Sequence, residues 1–188
     1  MASSRMRTRK KKKKTWLYVL LFFGAAFALL YHFELKYWDR SMPKGMHPVV
    51  AEKRDQLVRE AAKKGIPIMI TSDFRSAAEQ EELYAKGRTK PGSIVTHADA
   101  GESYHNYGLA FDFALQNEAG EAVWDLERDG NKNGKSDWME VADIGKDLGF
   151  EWGGGEIFGD FKDYPHFQMD FGLSIYELQL GRRPKVSE

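Results

Sequence analysis

One short segment of the sequence combines a histidine and an aspartate in a pattern that could bind a metal. It reads SYHNYGLAFDFAL and spans residues 103–115. Side chains alternate between the two faces of a strand, so Asp112 lies opposite the bulky residues, between two alanines that leave space in front of its carboxylate. A turn at Gly108 can bring His105 beside Asp112. The alternative is an edge-strand aspartate that faces water, with an unrelated histidine. The bulky residues of the other face are Leu109, Phe111, Phe113 and Leu115.

A second segment, KDYPHFQMDF over residues 162–171, places an acid three residues before a histidine. Pro165 forces Tyr164 out of the helical region, so Asp163 and His166 flank a turn that leads into a strand. In a metal hydrolase, such a histidine can bind the ion while the acid exchanges protons with water and with the leaving amine. The Asp-x-x-His spacing is common by chance, so it gains weight only together with the first segment.

The candidate ligands His105, Asp112 and His166 form the two-histidine, one-carboxylate set of a catalytic zinc site, which keeps a fourth position open for water. The chain has 5 histidines and no cysteine, so any metal must be held by histidine and carboxylate. Magnesium and calcium prefer more oxygen ligands, whereas non-haem iron uses the same ligand set as zinc. Zinc is the favoured ion for an exported hydrolase.

Four strings extend this pattern to a known family: SDFRSAAEQ, SYHNYGLAFDFAL, FEWGG and DYPHFQ, in this order. They resemble the VanY/VanX-type zinc D-Ala-D-Ala peptidases over residues 47–172, and most of all the CwlK-like L-alanyl-D-glutamate endopeptidases. The resemblance implies a DD-peptidase/hedgehog-like fold with zinc bound by His105, Asp112 and His166. It also implies a general acid/base at Asp163 and an oxyanion-stabilising guanidinium at Arg75. Family positions that contact the substrate or orient the site are matched by Ser103, Gln80 and Trp152.

The elements that must position these residues alternate without a βαβ rhythm. Helical spacing and caps predict helices over residues 48–64, 77–87, 137–148 and 173–180. The second of these begins with a capping box formed by Ser76 and Glu79. Apolar runs predict strands over residues 66–71, 108–115 and 166–171, and residues 88–104 read as a loop that lines the site. The sequence therefore predicts an α+β domain with a small, mainly antiparallel sheet and flanking helices.

The N-terminal part of the chain has the pattern of a membrane anchor. Residues 1–15 form a basic tail, residues 16–33 contain no formal charge and can span a bilayer, and residues 34–46 read as a connector to a domain over residues 47–188. The positive-inside rule places the basic tail in the cytoplasm and the domain outside. One alternative is a secreted protein, cleaved after Ala26-Phe27-Ala28, although the apolar run continues beyond that point. The other is a buried soluble helix.

The charge distribution argues against nucleic-acid binding. The chain has 28 Lys and Arg and 28 Asp and Glu residues, and its formal net charge is zero. Because residues 1–15 carry basic residues and no acidic one, the rest of the chain is acidic. A nucleic-acid-binding protein usually concentrates positive charge on its folded domain. The N-terminal segment makes the membrane one expected partner, and the family resemblance implies peptidoglycan as the other.

A second metal site is a further hypothesis, because DGNKNGKSDWME, residues 129–140, matches a twelve-residue calcium loop. No convincing helix enters this loop, so the alternative is a turn in which Asp137 caps the following helix. The candidate calcium ligands are Asp129, Asn131, Asn133, Asp137 and Glu140.

The functional prediction is a zinc peptidase that hydrolyses peptidoglycan stem peptides, between L-alanine and D-glutamate. A D-Ala-D-Ala carboxypeptidase is the second hypothesis. The segment GGGEIFGDF, from Gly153 to Phe161, departs from the Asp-Trp that typically follows Trp-Gly-Gly in the family, which leaves the choice of substrate open. A non-catalytic, zinc-stabilised cell-wall-binding module and a membrane-tethered calcium-responsive protein are hypotheses from other classes. Retention of both Asp163 and Arg75 argues against the binding module.

Overall fold

The computed structural model describes residues 16, 18–30 and 41–185, and residues 18–30 are helical. The chain divides into two compact units, Met1–Ser41 and Met42–Glu188. The predicted basic tail 1–15, residues 17 and 31–33 of the predicted membrane segment, and residues 34–40 of the predicted connector lie outside the described residues. None of the helices in the described ranges combines the length and the apolar character needed to cross a membrane.

Within residues 41–185, five strands form one sheet: β1 Ile68–Ser72, β2 Ala110–Gln116, β3 Ala122–Val123, β4 Glu151–Trp152 and β5 His166–Gln168. The strand order is β1-β2-β5-β4, and β3 pairs with the C-terminal end of β2. All of these pairs are antiparallel. The predicted α+β class with a small antiparallel sheet is thereby confirmed, and β2 lies at its centre.

The helices of the second unit are α1 Pro48–Lys63, α2 Ala77–Ala85, α3 Asp137–Asp147 and α4 Ile175–Gln179, together with a 3-10 helix over Tyr104–Tyr107. Pro48 at the start of α1 needs no hydrogen-bond acceptor for a backbone N–H. The capping box that begins α2 is present as predicted, since the Ser76 side chain accepts from the Glu79 N–H and the Glu79 carboxylate accepts from the Ser76 N–H.

One face of the sheet packs against α1 and α3 to form the hydrophobic core. The bulky side chains predicted for one face of β2 are all buried, and the Phe113 ring lies 4.7 Å from the Trp138 ring of α3. Helix α3 approaches the sheet so closely that a Cβ on Gly145 would lie 2.4 Å from the Phe167 ring. Asp112 and His166 leave this core and project from the opposite face of the sheet, because side chains alternate along a strand.

Several predicted bounds differ from the structure, including the start of β2, which is Ala110 rather than residue 108, and the start of α4, which is Ile175 rather than residue 173. Strand β1 begins at Ile68 rather than at residue 66, because Pro67 has no N–H to donate to a ladder and only its carbonyl accepts, from the Gln116 N–H. Strand β5 ends at Gln168 rather than at residue 171, where Phe171 has a φ of 54°. The 3-10 helix Tyr104–Tyr107 lies where the sequence predicted the end of the loop 88–104 and the turn before Gly108.

Candidate metal and catalytic site

The pairing of β2 with β5 brings two of the predicted ligands together. Asp112 and His166 are direct partners across these antiparallel strands, so their side chains emerge side by side. His105 comes from the 3-10 helix that precedes β2. Gly108 ends this helix in the left-handed conformation, with a φ of 66°, and so allows the tight turn that the sequence predicts.

The three ligand atoms have the spacing that a tetrahedral ion requires. His105 Nε2, Asp112 Oδ1 and His166 Nδ1 form a triangle in which each of the three distances is 3.3 Å. A tetrahedral zinc ion with bonds of about 2.0–2.1 Å to nitrogen and oxygen places neighbouring ligand atoms roughly 3.3–3.4 Å apart. The side chains therefore fit a zinc ion without rearrangement. Within the described residues, these three form the cluster of histidine and acidic side chains that could hold a metal.

The surroundings of His105 favour metal binding through Nε2. The Nδ1 atom of His105 lies 2.7 Å from the Asp73 carbonyl oxygen, which can only accept a hydrogen bond, so Nδ1 carries the proton. The lone pair of Nε2 then faces the carboxylate of Asp112. Burial raises the pKa of Asp112, and His105 and His166 lower that pKa by more when they are protonated in the metal-free site. A neutral imidazole beside a carboxylate creates a position that a cation would neutralise.

Asp163 lies on the same cleft as the three ligands. Its backbone is fixed on both sides, because its N–H donates to the Gly153 carbonyl and its carbonyl accepts from the His166 N–H. Burial is the main reason that the pKa of Asp163 lies above its ordinary value; the negative charge of Asp112 adds to this shift, and the positive charge of Arg75 opposes it. A carboxyl with a raised pKa is suited to exchange protons near neutral pH.

Arg75 reaches the cleft from the loop between β1 and α2, where its guanidinium is held by two hydrogen bonds. One nitrogen donates to Gln80 Oε1 at 2.9 Å, and the other donates to Ser72 Oγ at 3.0 Å. The second nitrogen also lies 3.8 Å from Asp112 Oδ2. Since a guanidinium has five N–H donors, Arg75 keeps donors for a substrate oxygen while its position is fixed.

The cleft around these side chains has a volume of about 810 Å³. Two loops contribute exposed apolar side chains to it, one through Ile94 and Val95 and the other through Phe158 and Phe161. The Phe158 ring also packs on the His166 ring, with 5.4 Å between their centroids. The predicted site-lining loop 88–104 thus contributes to the cleft, and so does the segment 153–161 that departs from the family pattern.

Two of the residues predicted to contact the substrate or to orient the site hold neighbouring elements in place. Gln80 is fully buried, and its amide joins Arg75 to the Ala98 carbonyl of the cleft loop. Trp152 is also buried, and its indole N–H donates to the Tyr164 carbonyl behind the turn that presents Asp163. The third such residue, Ser103, does line the cleft and also caps the 3-10 helix by accepting from the His105 N–H.

Sequence reasoning missed Asn106, which is fully buried. Its amide donates to the Arg75 carbonyl and accepts from the backbone N–H groups of Gly101 and Ser103. It therefore joins the loop of Arg75 to the helix of His105. The capping-box spacing between Ser103 and Asn106 is the signal that could have identified it.

The calcium prediction finds no support in this part of the chain. The acids Asp129, Asp137 and Glu140 do not converge as a metal-binding group among the described residues. The Asp137 carboxylate accepts from the Gly130 N–H, and Glu140 accepts from the amides of Asn131 and Asn133. The alternative also needs correction, because Ser136 rather than Asp137 caps α3.

Comparison with known proteins identifies the family. The sequence model of VanY, described as D-alanyl-D-alanine carboxypeptidase, matches residues 43–156. The peptidoglycan L-alanyl-D-glutamate endopeptidase CwlK of Bacillus subtilis (strain 168) is 59% identical over 131 residues, which cover 70% of this chain and 77% of that protein. The chain belongs to the VanY family. His105 and Asp112 lie inside the VanY match, and the predicted resemblance is confirmed.

Solved structures show the same fold at greater distance. DacB from Streptococcus pneumoniae D39 has a TM-score of 0.51 at 22% identity, and the alignment covers 73% of this VanY-family chain and 78% of DacB. A second structure, described as the L,D-carboxypeptidase DacB from the same species, has a TM-score of 0.50 at 23% identity, covering 74% and 79% of the two chains. These matches support the fold assignment alone.

Proposed function

We propose that this chain is a zinc-dependent peptidase that cleaves peptidoglycan stem peptides between L-alanine and D-glutamate. The observation that carries the proposal is the 3.3 Å triangle of His105, Asp112 and His166 on a cleft that also contains Asp163 and Arg75. The 59% identity to CwlK, named as an L-alanyl-D-glutamate endopeptidase, favours this bond over the D-Ala-D-Ala bond named for the family model.

Zinc bound by His105, Asp112 and His166 would supply a Lewis acid for the hydrolysis. The chain's own side chains perform the proton transfers and stabilise the charge. The Asp163 carboxylate accepts a proton from the attacking water while the water oxygen forms a bond to the carbonyl carbon of the peptide. Arg75 donates hydrogen bonds to the oxyanion that forms there. Asp163 then transfers the proton to the leaving amine as the C–N bond breaks, and the carboxylate is regenerated.

The two hypotheses for the cleaved bond give different products. We would treat purified muropeptides with the full chain in detergent, with and without a chelator, and identify the products by mass spectrometry. Cleavage between L-alanine and D-glutamate separates the sugar-linked L-alanine from the rest of the peptide, whereas a carboxypeptidase releases free D-alanine. Chelator-sensitive formation of the first product is expected. Free D-alanine as the main product would contradict the proposed bond and favour the carboxypeptidase.

The same proposal includes an N-terminal membrane anchor over residues 16–33, with the peptidase domain on the outer face of the membrane. Its support is the uncharged segment after the basic tail 1–15, together with a substrate that lies outside the membrane. Secretion after signal cleavage is the alternative, and it would deliver the same domain to the same substrate.

A further inference from the structure

The second histidine ligand has its own hydrogen-bond partner on the face of β5 that carries the site. Gln168 lies two residues beyond His166, so the two side chains share one face of the strand. The Gln168 side chain is buried, and its Oε1 lies 3.1 Å from His166 Nε2. Its amide nitrogen lies 2.8 Å from Glu151 Oε2. Glu151 is the direct partner of Gln168 across the β4–β5 pair.

The chemistry of these three groups fixes the direction of both hydrogen bonds. A carboxylate only accepts, so Glu151 holds the NH₂ group of Gln168 and turns the amide oxygen toward His166. The amide oxygen also only accepts, so His166 must carry its proton on Nε2. The lone pair of Nδ1 then points at His105 Nε2 and Asp112 Oδ1, each 3.3 Å away.

The two histidines present opposite nitrogens to the site, and each therefore needs a different partner. His105 turns Nε2 to the site because the Asp73 carbonyl accepts from its Nδ1. His166 turns Nδ1 to the site, and β2 and β5 leave Nε2 facing along the strand toward residue 168. The partner of His105 is the backbone carbonyl of Asp73, which stays in place when the Asp73 side chain is substituted. The partner of His166 is the side chain of Gln168, which a substitution removes.

We propose that Gln168, oriented by Glu151, is a positioning residue that holds His166 in the tautomer able to bind the metal through Nδ1. The inference rests on the proposed zinc site and adds two residues that sequence analysis did not single out. Partners of this kind around metal-bound histidines typically change metal affinity by about 10- to 100-fold. The effect of Gln168 should therefore be measurable in metal binding itself, without any activity assay.

Zinc affinity is to be measured on the full chain in detergent by competition with a chelating indicator. Gln168→Leu removes the acceptor and is expected to weaken zinc binding by about 10- to 100-fold. Gln116→Leu is the matched control, because Gln116 ends β2 in the same sheet and its amide donates to Gly120 rather than to a ligand. The control is expected to bind zinc as the wild-type chain does.

A reciprocal exchange separates the hydrogen bond from a general packing effect. In the double variant Glu151→Gln with Gln168→Glu, the amide at position 151 donates to the carboxylate at position 168, which still accepts from His166 Nε2. Zinc affinity is expected to return to within a fewfold of wild type, and nitrogen NMR of the metal-free chain should show His166 protonated on Nε2. This variant also serves as the test if Gln168→Leu does not fold.

The inference is overturned if folded Gln168→Leu binds zinc as tightly as wild type. It is also overturned if the folded double variant has lost affinity or the Nε2 proton. Failure of the wild-type chain to bind zinc would remove the proposed function and this inference together. Wild-type binding with an unaffected leucine variant would remove this inference alone.

Discussion

Asp163 is the residue whose substitution best separates chemistry from metal binding. It shares the cleft with the triangle of ligands but takes no part in it. Asp163→Asn keeps the size of the side chain and removes its ability to exchange protons, so kcat on muropeptides should fall by about 10²- to 10⁴-fold. Zinc content, measured by atomic absorption, should stay at the wild-type level.

The ligand variant His105→Ala is the control for this prediction, since it should lose zinc and activity together. A folded Asp163→Asn chain that hydrolyses peptidoglycan at the wild-type rate with zinc bound would contradict the mechanism. An inactive wild-type chain that binds both zinc and peptidoglycan would instead favour the non-catalytic cell-wall module.

At the residue scale, the sequence predicted which side chains meet but not what holds them. Strand alternation and the turn at Gly108 were sufficient to place His105 beside Asp112. Family resemblance placed Gln80 and Trp152 near the site but could not separate substrate contact from support, because that depends on which surface each side chain covers. Gln168 was overlooked because a glutamine in a short strand has no distinctive pattern.

At the scale of elements, the stability of helix α2 controls the position of Arg75, because Ser76 caps this helix and Gln80 within it holds the Arg75 guanidinium. Ser76→Ala removes the cap and should lower the free energy of unfolding by about 1 kcal/mol in urea titrations. Because Gln80 of α2 holds the Arg75 guanidinium, kcat should also fall severalfold. Ser136→Ala removes the cap of α3, and no residue of α3 lines the cleft. This variant should therefore lower the free energy of unfolding without lowering kcat. Equal effects of both variants on kcat would contradict the proposed connection.

The loop between β4 and β5 has no space for a side chain at Gly153. A Cβ there would lie 2.4 Å from the Asp163 carbonyl oxygen and 3.0 Å from His166 Cβ. Gly153→Ala should therefore lower the free energy of unfolding by about 1–3 kcal/mol and weaken zinc binding, because the backbone of Asp163 and His166 must move. Urea unfolding and indicator competition measure the two effects.

Gly155→Ala is the matched control for Gly153→Ala, since its Cβ would approach the Trp152 carbonyl only to 3.1 Å. Its effects on both measurements should be smaller. Identical behaviour of the two variants would show that the space at Gly153 does not control the site.

The beginnings of α1 and α2 and the end of α3 were predictable to within one residue, because Pro48, Ser76 and Gly149 leave clear signals in the sequence. The strands β3 and β4 were not predicted, because each has only 2 residues and shows no alternation. The calcium loop is a prediction that the structure does not support. Its residue types match a pattern, but the acids hydrogen-bond to neighbouring amides and backbone instead of converging.

For the whole molecule, the proposed anchor predicts where the chain is found in the cell. With an epitope tag at each end, both tags should remain in the membrane pellet after an alkaline carbonate wash. Protease added to wall-stripped cells should remove the C-terminal tag and leave the N-terminal one, because the positive-inside rule keeps the basic tail in the cytoplasm. A chain that begins at Ser41 is the control and should not pellet. Release into the medium of a chain without the N-terminal tag would instead show signal cleavage.

The cross-strand pairing of Asp112 with His166 also has a consequence for biogenesis. The two residues are separated by 54 positions in the chain, and they meet only after β5 has docked beside β2. In the proposed topology the basic tail stays in the cytoplasm and the chain after residues 16–33 crosses the membrane in order of sequence, so His105 and Asp112 emerge long before His166. In that topology the complete ligand set cannot assemble until nearly the whole domain has emerged, so we expect a partly translocated chain to be hydrolytically inert.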